Sequence, residues 1–467
     1  MRWPSCAVTG SNGSRPGPSI ISPGTRARAP RSGPWWRWGS ARSSPTQPGP
    51  GSTGPGPAIR VAAMRGWRRN FATLWVSQFV AMVAFSAVLP FLPLYVQYLG
   101  VRDPRQAAVW AGLLGSSSAV TMALMAPVWG ALADRYGRKL MVQRALFGGG
   151  TVVGLMGLVS DVFQLLVLRI IQGGVSGTVT AARVLASSIV PASHLGMAMG
   201  LMQTAIFVGS SAGPLLGGFI ADHLGFRAAF FTTAGLLLAT GLAVMVLVHE
   251  EFQPSTVQKA QKRLRDDLRW LLAMRPLVAL IVVLYAVQVG TMVVSPILPL
   301  FIQSLTGPGQ PAAAIAGTII GATAASSALA SVVAGRLGDR IGHRRVLTVC
   351  AMGAALLYVP QALVATPGQL LVLRVLMGLF MGGVLPSAMA MIGLLTPAEN
   401  RGWVYGLTAS ASSLGNATGP LLGALVAASL DLRAVFLVTA GVLLGVAVWV
   451  ASVVPEALAL SAHTARS

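Results

Sequence analysis

Charge is what this chain has least of. Only 10% of its 467 residues are Asp, Glu, Lys or Arg, where a soluble domain carries about a quarter, so an ordinary water-soluble protein is excluded. Acid is scarcer still. Its twelve carboxylates (Asp103, Asp134, Asp161, Asp222, Glu250, Glu251, Asp266, Asp267, Asp339, Glu399, Asp431 and Glu456) fall between or at the ends of apolar stretches, never within one. Two cysteines, Cys6 and Cys350, exclude a disulfide framework and a cysteine zinc site. The five histidines (His194, His223, His249, His343 and His463) show no metal-ligand spacing. There is no nucleophile with an adjacent base and no Gly-Lys-Ser/Thr phosphate loop, so neither an enzyme nor an ATP-driven pump is expected, nor a metal or a cofactor.

What is abundant is apolar sequence, at 54% of residues. A helix crossing a bilayer needs roughly 20 such residues, and twelve stretches qualify: 71–96, 107–131, 141–160, 163–187, 197–221, 228–248, 277–303, 312–334, 346–365, 369–391, 402–427 and 434–453. The pattern predicts an all-α membrane protein of twelve transmembrane helices in two six-helix pseudo-symmetric halves.

The net charge of +22 is a matter of placement. Residues 1–63 hold eight Arg and no acid; of the other 26 Lys and Arg, nineteen fall on one side of a twelve-span chain, and only Arg102, Arg105, Arg227 and Arg433 on the other. This asymmetry predicts that both termini are cytoplasmic and makes nucleic acid an unneeded partner. Residues 1–63, rich in Gly, Pro, Ser and Arg, read as a disordered tail without the apolar core of a signal peptide. Met64-Arg-Gly-Trp-Arg-Arg-Asn has the form of a lead into a first span, which makes Met64 a second candidate start. The expected organisation is then a six-helix bundle over 64–249, a cytoplasmic amphipathic linker over 250–275, a second bundle over 276–455 and a tail over 456–467.

The halves repeat each other at an offset of 205 or 206 residues. Gly130-Ala-Leu-Ala-Asp134-Arg135-Tyr-Gly137-Arg138-Lys139 returns as Gly335-Arg-Leu-Gly-Asp339-Arg340-Ile-Gly342-His-Arg344. Gly209, Gly213, Pro214 and Gly217 return as Gly415, Gly419, Pro420 and Gly423; Pro90 and Pro93 as Pro296 and Pro299; Arg169 and Gly173 as Arg374 and Gly378. An even number of spans per half starts both copies on the same side, the parallel-repeat arrangement of the major facilitator superfamily.

The loop from Gly130 to Lys139 closely resembles that superfamily's signature loop between helices 2 and 3. The resemblance implies a conformational latch at Gly130, Asp134, Arg135, Gly137, Arg138 and Lys139, with Asp339 and Arg340 in the second copy. Arg169-xx-Gln172-Gly173 resembles the family's helix 4 motif, which implies a coupling role; an Arg within a span is costly and faces protein or water. Gly209-xxx-Gly213-Pro214-xx-Gly217-Gly218 resembles the helix 5 motif of antiporters, although glycines every fourth residue also serve close helix packing.

From about 64 to 455 the chain looks like the bacterial drug:proton antiporters. That implies a monomeric plasma-membrane exporter of small hydrophobic substrates, driven by protons and able to confer antibiotic resistance. By the same analogy Gln78, Phe85, Tyr285, Gln288, Met292, Arg374, Met377 and Phe380 would line a substrate cavity. With no mid-membrane carboxylate, Asp134, Asp222 or the substrate itself is expected to carry the coupling proton. The alternative is a transporter, by uptake or export, of a small metabolite such as a sugar or organic anion.

Overall fold

In a computed structural model, the structure describes residues 57–88, 90–191, 194–250, 264–307, 309–397 and 400–454. The tail over 1–56, the linker stretch 251–263 and the C-terminal segment from 455 lie outside the described residues. The described residues form sixteen helices. The first half holds α1 (Pro57–Ala87), α2 (Leu92–Tyr98), α3 (Pro104–Tyr136), α4 (Arg138–Met156), α5 (Val162–Val175), α6 (Thr178–Ile189), α7 (Leu195–Leu224) and α8 (Phe226–Leu247). After α9 (Leu264–Ala273) come α10 (Arg275–Val294), α11 (Leu298–Leu305), α12 (Ala312–Ile341), α13 (His343–Gln361), α14 (Pro367–Leu395), α15 (Arg401–Ser429) and α16 (Ala434–Val453).

Pairing the broken helices gives twelve passes: α1 with α2, α5 with α6 and α10 with α11 each make one, and nine single helices make the rest. Nine passes are long and apolar enough to cross a bilayer on composition alone. The other three are α4 and α13, which begin with basic residues, and α15, which is rich in Ser, Thr and Gly. Helix α1 begins at Pro57, so residues 57–63, read as part of the polar tail, are helical.

The first and seventh passes break because Pro90 and Pro93, and their copies Pro296 and Pro299, remove backbone donors. Behind each break sits the same aromatic pair: Tyr95 and Phe230 lie 4.9 Å apart at 55°, and their counterparts Phe301 and Phe436 lie 4.8 Å apart at 57°. The duplication is therefore preserved down to ring orientation. At the turns after α3 and α12, Gly137 and Gly342 each have φ of 98°, a conformation that glycine adopts without strain.

Many large apolar side chains face outward, among them Leu158, Phe163, Leu242, Val333, Leu356 and Leu363. A surface of that kind is stable in lipid and not in water. The chain is a multi-pass membrane protein.

Candidate functional site

The halves meet along two helix pairs, α7 with α12 and α3 with α15. At the end away from the Lys/Arg-rich loops, the contact is backbone against backbone. A Cβ on Gly218 would overlap the Ala313 carbonyl, one on Gly317 the Pro214 carbonyl, and one on Gly112 would sit 2.6 Å from the Pro420 oxygen. Gly321 approaches the Ser211 carbonyl in the same way, at 2.6 Å. Only residues this small let two helices come so close.

Toward the basic end the glycines of the same four helices make no such contact. Gly130 on α3, Gly196 and Gly200 on α7, Gly335 on α12 and Gly406 on α15 have nothing within 4 Å of where a Cβ would stand. On these contacts we take the space between the halves as sealed at one end and open at the basic end.

The loop expected to latch the halves lies at that open end. The Asp134 side chain lies outside the described residues. Arg135 is exposed, its guanidinium 5.2 Å from the Tyr136 ring, and Arg340 is exposed at the end of α12. Asp339 faces His343 Nε2 at 3.4 Å. Arg138 and Lys139 are engaged within their own half. Their backbone N–H groups, the first two of α4, donate to Glu250 Oε1 and Oε2 at 3.1 and 2.7 Å, and Lys139 Nζ donates to the Met245 carbonyl at 2.8 Å.

Glu250 is a functional candidate that sequence reasoning placed only among the loop acids. Its carboxylate caps a helix remote in sequence, favoured by the positive helix terminus. Replacing Glu250 with Ala removes both acceptors. An expected loss of about 1 kcal/mol lowers the thermal midpoint by a few degrees in detergent; Glu250→Gln, which keeps one acceptor, falls between.

The fourth pass is broken between α5 and α6, at Ser176 and Gly177, where Gly177 has φ of 122°. The sequence showed one continuous span there, and the second copy, α14, is continuous. The carbonyls freed by the break are taken up by neighbours, as irregular backbone at membrane depth requires. The Trp129 indole donates to the Gly174 oxygen at 2.6 Å, and Arg144 Nη2 to the Ser176 oxygen at 3.2 Å. The Arg144 guanidinium also stacks 3.7 Å above the Trp129 ring. Just before the break, Arg169 Nη1 donates to Gln172 Oε1 at 2.8 Å, and Gly173 abuts Ser118 and Thr121 of α3 closely enough that a Cβ would overlap both.

Of the helix 5 motif, Gly209, Gly213 and Gly217 face α1, at Phe79, Val83 and Ala87, inside their own half; Pro214 and Gly218 reach α12 across the seam. One face of α7 thus packs within its own half and another meets the opposite half.

The residues expected in the cavity divide. Tyr285 and Gln288 are half-buried and bound to α15, Tyr285 Oη 3.2 Å from Thr418 Oγ1 and Gln288 Nε2 2.6 Å from Asn416 Oδ1. Met292 rests against Gly419 of the same helix. Gln78, Met377 and Arg374 are buried. The Arg374 guanidinium lies 5.6 Å from the Tyr358 ring and 5.8 Å from that of Phe436, on the bundle side of α14. Phe85 packs on Gly149, and Phe380 fills the notch at Gly353.

Each described carboxylate stands at or beyond a helix end, except Asp266 and Asp267 in α9. Among the described residues no cluster of His, Cys, Asp and Glu could hold a metal ion.

Comparison with known proteins agrees with this architecture. The family model for the Major Facilitator Superfamily matches residues 74–324 and 287–465. The chain is 37% identical to the multidrug resistance protein MdtG of Salmonella arizonae over 378 residues, covering 81% of this chain and 93% of that one. It is also 37% identical to MdtG of Escherichia coli over 383 residues, 82% and 94% of the two chains. Among solved structures, the nucleoside transporter NupG superposes with a TM-score of 0.71 at 14% identity, over 82% of this chain and all of that one. A bacterial homologue of the lysosomal transporter Spinster, in an inward-facing and occupied conformation, gives 0.66 at 14% identity, over 88% and 98%. At these identities the solved structures speak for the fold alone.

Proposed function

Because the chain belongs to the major facilitator superfamily, and is a membrane transporter rather than an enzyme, we propose that it exports hydrophobic drug-like compounds in exchange for protons, by alternating access. The observation that carries this reading is the 37% identity to multidrug resistance proteins along nearly their whole length. The geometry supports the cycle. With the basic loops and both termini in the cytoplasm of a cell bounded by its plasma membrane, the sealed end faces outward and the open end inward. The structure is then the inward-facing state, in which cytoplasmic substrate enters.

In this state Arg138 and Lys139 of the loop from Gly130 to Lys139 are held by their own half, through Glu250. Closing the cytoplasmic end brings Asp134 and Arg135 toward the second half, where they act as the latch of the outward-facing state. Arg169, paired with Gln172 just before the break in the fourth pass, is the group proposed to couple that pass to the cycle. The half-buried polar pairs Tyr285 with Thr418 and Gln288 with Asn416 offer contacts to a neutral or amphipathic substrate. The alternative of an organic anion rests on Arg169 and Arg374, of which the first pairs with Gln172 and the second packs against Tyr358 and Phe436.

The test is transport in proteoliposomes under an imposed pH gradient, against a panel of hydrophobic dyes and antibiotics. Gradient-driven movement of at least one compound, abolished by a protonophore, is expected. Folded protein that moves none of them sinks the drug/proton reading.

A further inference from the structure

We propose that Asp222 is the bolt of the gate at the sealed end, and that a proton taken up there by its carboxyl group unlocks the gate. The second part rests on the proton-driven cycle proposed above; the first does not.

Helix α12 opens at Ala312 behind Pro311, which gives it no side-chain cap, so its first N–H groups need acceptors from elsewhere. One comes from the other half of the protein. Ala314 N, in the first turn, donates to Asp222 Oδ2 at 2.6 Å, and Asp222 stands in the last turn of α7. The equivalent helix of the first half, α3, is capped by its own Asp103, whose side chain accepts from Arg105 N at 3.1 Å. At the repeat offset of 206, Asp103 corresponds to Gly309 and Asp222 to Ala428. The duplication therefore does not account for this bond. A cap that α3 draws from its own half, α12 draws from the opposite one.

Donor and acceptor belong to bodies that must separate when this end opens. The bond is thus specific to the closed gate, and it sits just beyond the contact of Gly218 with Ala313. A carboxylate before a helix N-terminus gains from the charge there as well as from the hydrogen bond. A neutral carboxyl keeps only part of that.

The charged surroundings are sparse. Helix α12 has no ionisable side chain before Arg336, and α1 none after Arg69. Helix α8 brings Arg227, which interacts with Tyr95. On α7 itself, His223 has Nδ1 2.9 Å from the Phe219 carbonyl and its ring stacked on Phe219. Helix α6 has Arg183, hydrogen-bonded to Gln203 toward the other end. The helix terminus ahead is what Asp222 faces, with His223 next to it in sequence and Arg227 at the start of α8.

The experiment places spin labels at Leu224→Cys and Leu430→Cys, both exposed at this end, in the full chain carrying Cys6→Ser and Cys350→Ala, in lipid nanodiscs. Distance distributions then report open and closed populations. Asp222→Asn, which keeps an acceptor but loses the charge at the helix terminus, should raise the open-to-closed ratio about two- to five-fold, and Asp222→Glu should restore most of it. Lowering the pH should raise the ratio in the parent and leave Asp222→Asn unmoved. An unchanged ratio in Asp222→Asn overturns the bolt. A shifted ratio with a persisting pH response overturns the proton assignment alone. Liposome transport by the parent separates this from the broader reading: if no pH gradient drives it while Asp222→Asn still shifts the ratio, proton antiport falls and the gate stands.

Discussion

Gly317→Ala is expected to cut transport about five-fold or more while leaving insertion and folding near normal. The added Cβ would overlap the carbonyl oxygen of Pro214 and come within 2.9 Å of its carbon. Both are backbone atoms and cannot swing aside. Helices α7 and α12 must therefore separate locally, and forced overpacking of this kind costs about 1–3 kcal/mol. That cost falls on the state with this end sealed and on no other. It shifts the resting population about five- to 150-fold toward the open gate, by the usual conversion of 1.4 kcal/mol per decade. Substrate uptake from the cytoplasm needs the sealed state, so turnover falls with its population. Transport in vesicles, together with labelling of cysteines placed at the sealed end, checks both halves of the claim. Gly235→Ala on α8, off the seam, where a Cβ meets open space, is the control and should transport normally. Wild-type rates from Gly317→Ala would show that the seam does not take part in the cycle.

Gly217→Ala should behave differently, although it lies on the same seam-forming helix. Its Cβ would collide with the carbonyl, carbon and Cα of Ala87 on α1, a contact inside one half. No state of an alternating-access cycle relieves it, because each half moves as a body. The full 1–3 kcal/mol of overpacking then appears as lost stability, with a thermal midpoint lower by several degrees in detergent and reduced yield of monodisperse protein. Gly235→Ala, whose Cβ would meet nothing within 4 Å, should instead stabilise slightly, by about 0.5–1 kcal/mol, as Gly in a helix interior is the weaker choice. A Gly217→Ala protein as stable as the parent would mean that α1 and α7 are less closely packed than described. The pair of substitutions separates a glycine that permits folding from one that permits motion.

The repeat made the architecture legible because duplication is a property of order along the chain. The breaks in the first and seventh passes, which the sequence read as continuous spans over 71–96 and 277–303, follow from proline pairs whose missing N–H acts locally. The break in the fourth pass was not legible. Gly177 is one glycine among many, and what holds the break open is Trp129 and Arg144, each from another helix. Glu250 escaped notice likewise, since a carboxylate between helices becomes a cap only once α4 and α8 lie side by side.

The cavity expectations show a further limit. In a soluble helix the polar face tells which way it turns, but spans that are apolar all round carry no such mark. Gln78 and Arg374 are polar, yet their polarity says only that they avoid lipid, a requirement that burial among neighbouring helices meets as well as a cavity does. Phe380 and Phe85 are placed by glycine notches at Gly353 and Gly149, which depend on the register between helices and not on either residue alone.

The seam of glycine, alanine and proline has a further bearing on energy. Two helices of leucine would bury broad side chains on meeting and resist parting again. A strip of backbone and methyl groups offers a narrow zone of dispersion contact, and in lipid no hydrophobic term adds to it. The two arrangements of the halves are thereby kept nearly degenerate. A gap of one or two kcal/mol is within reach of a single hydrogen bond, a single proton or a bound molecule, so the smallness of those side chains leaves the landscape shallow enough for weak signals to tip.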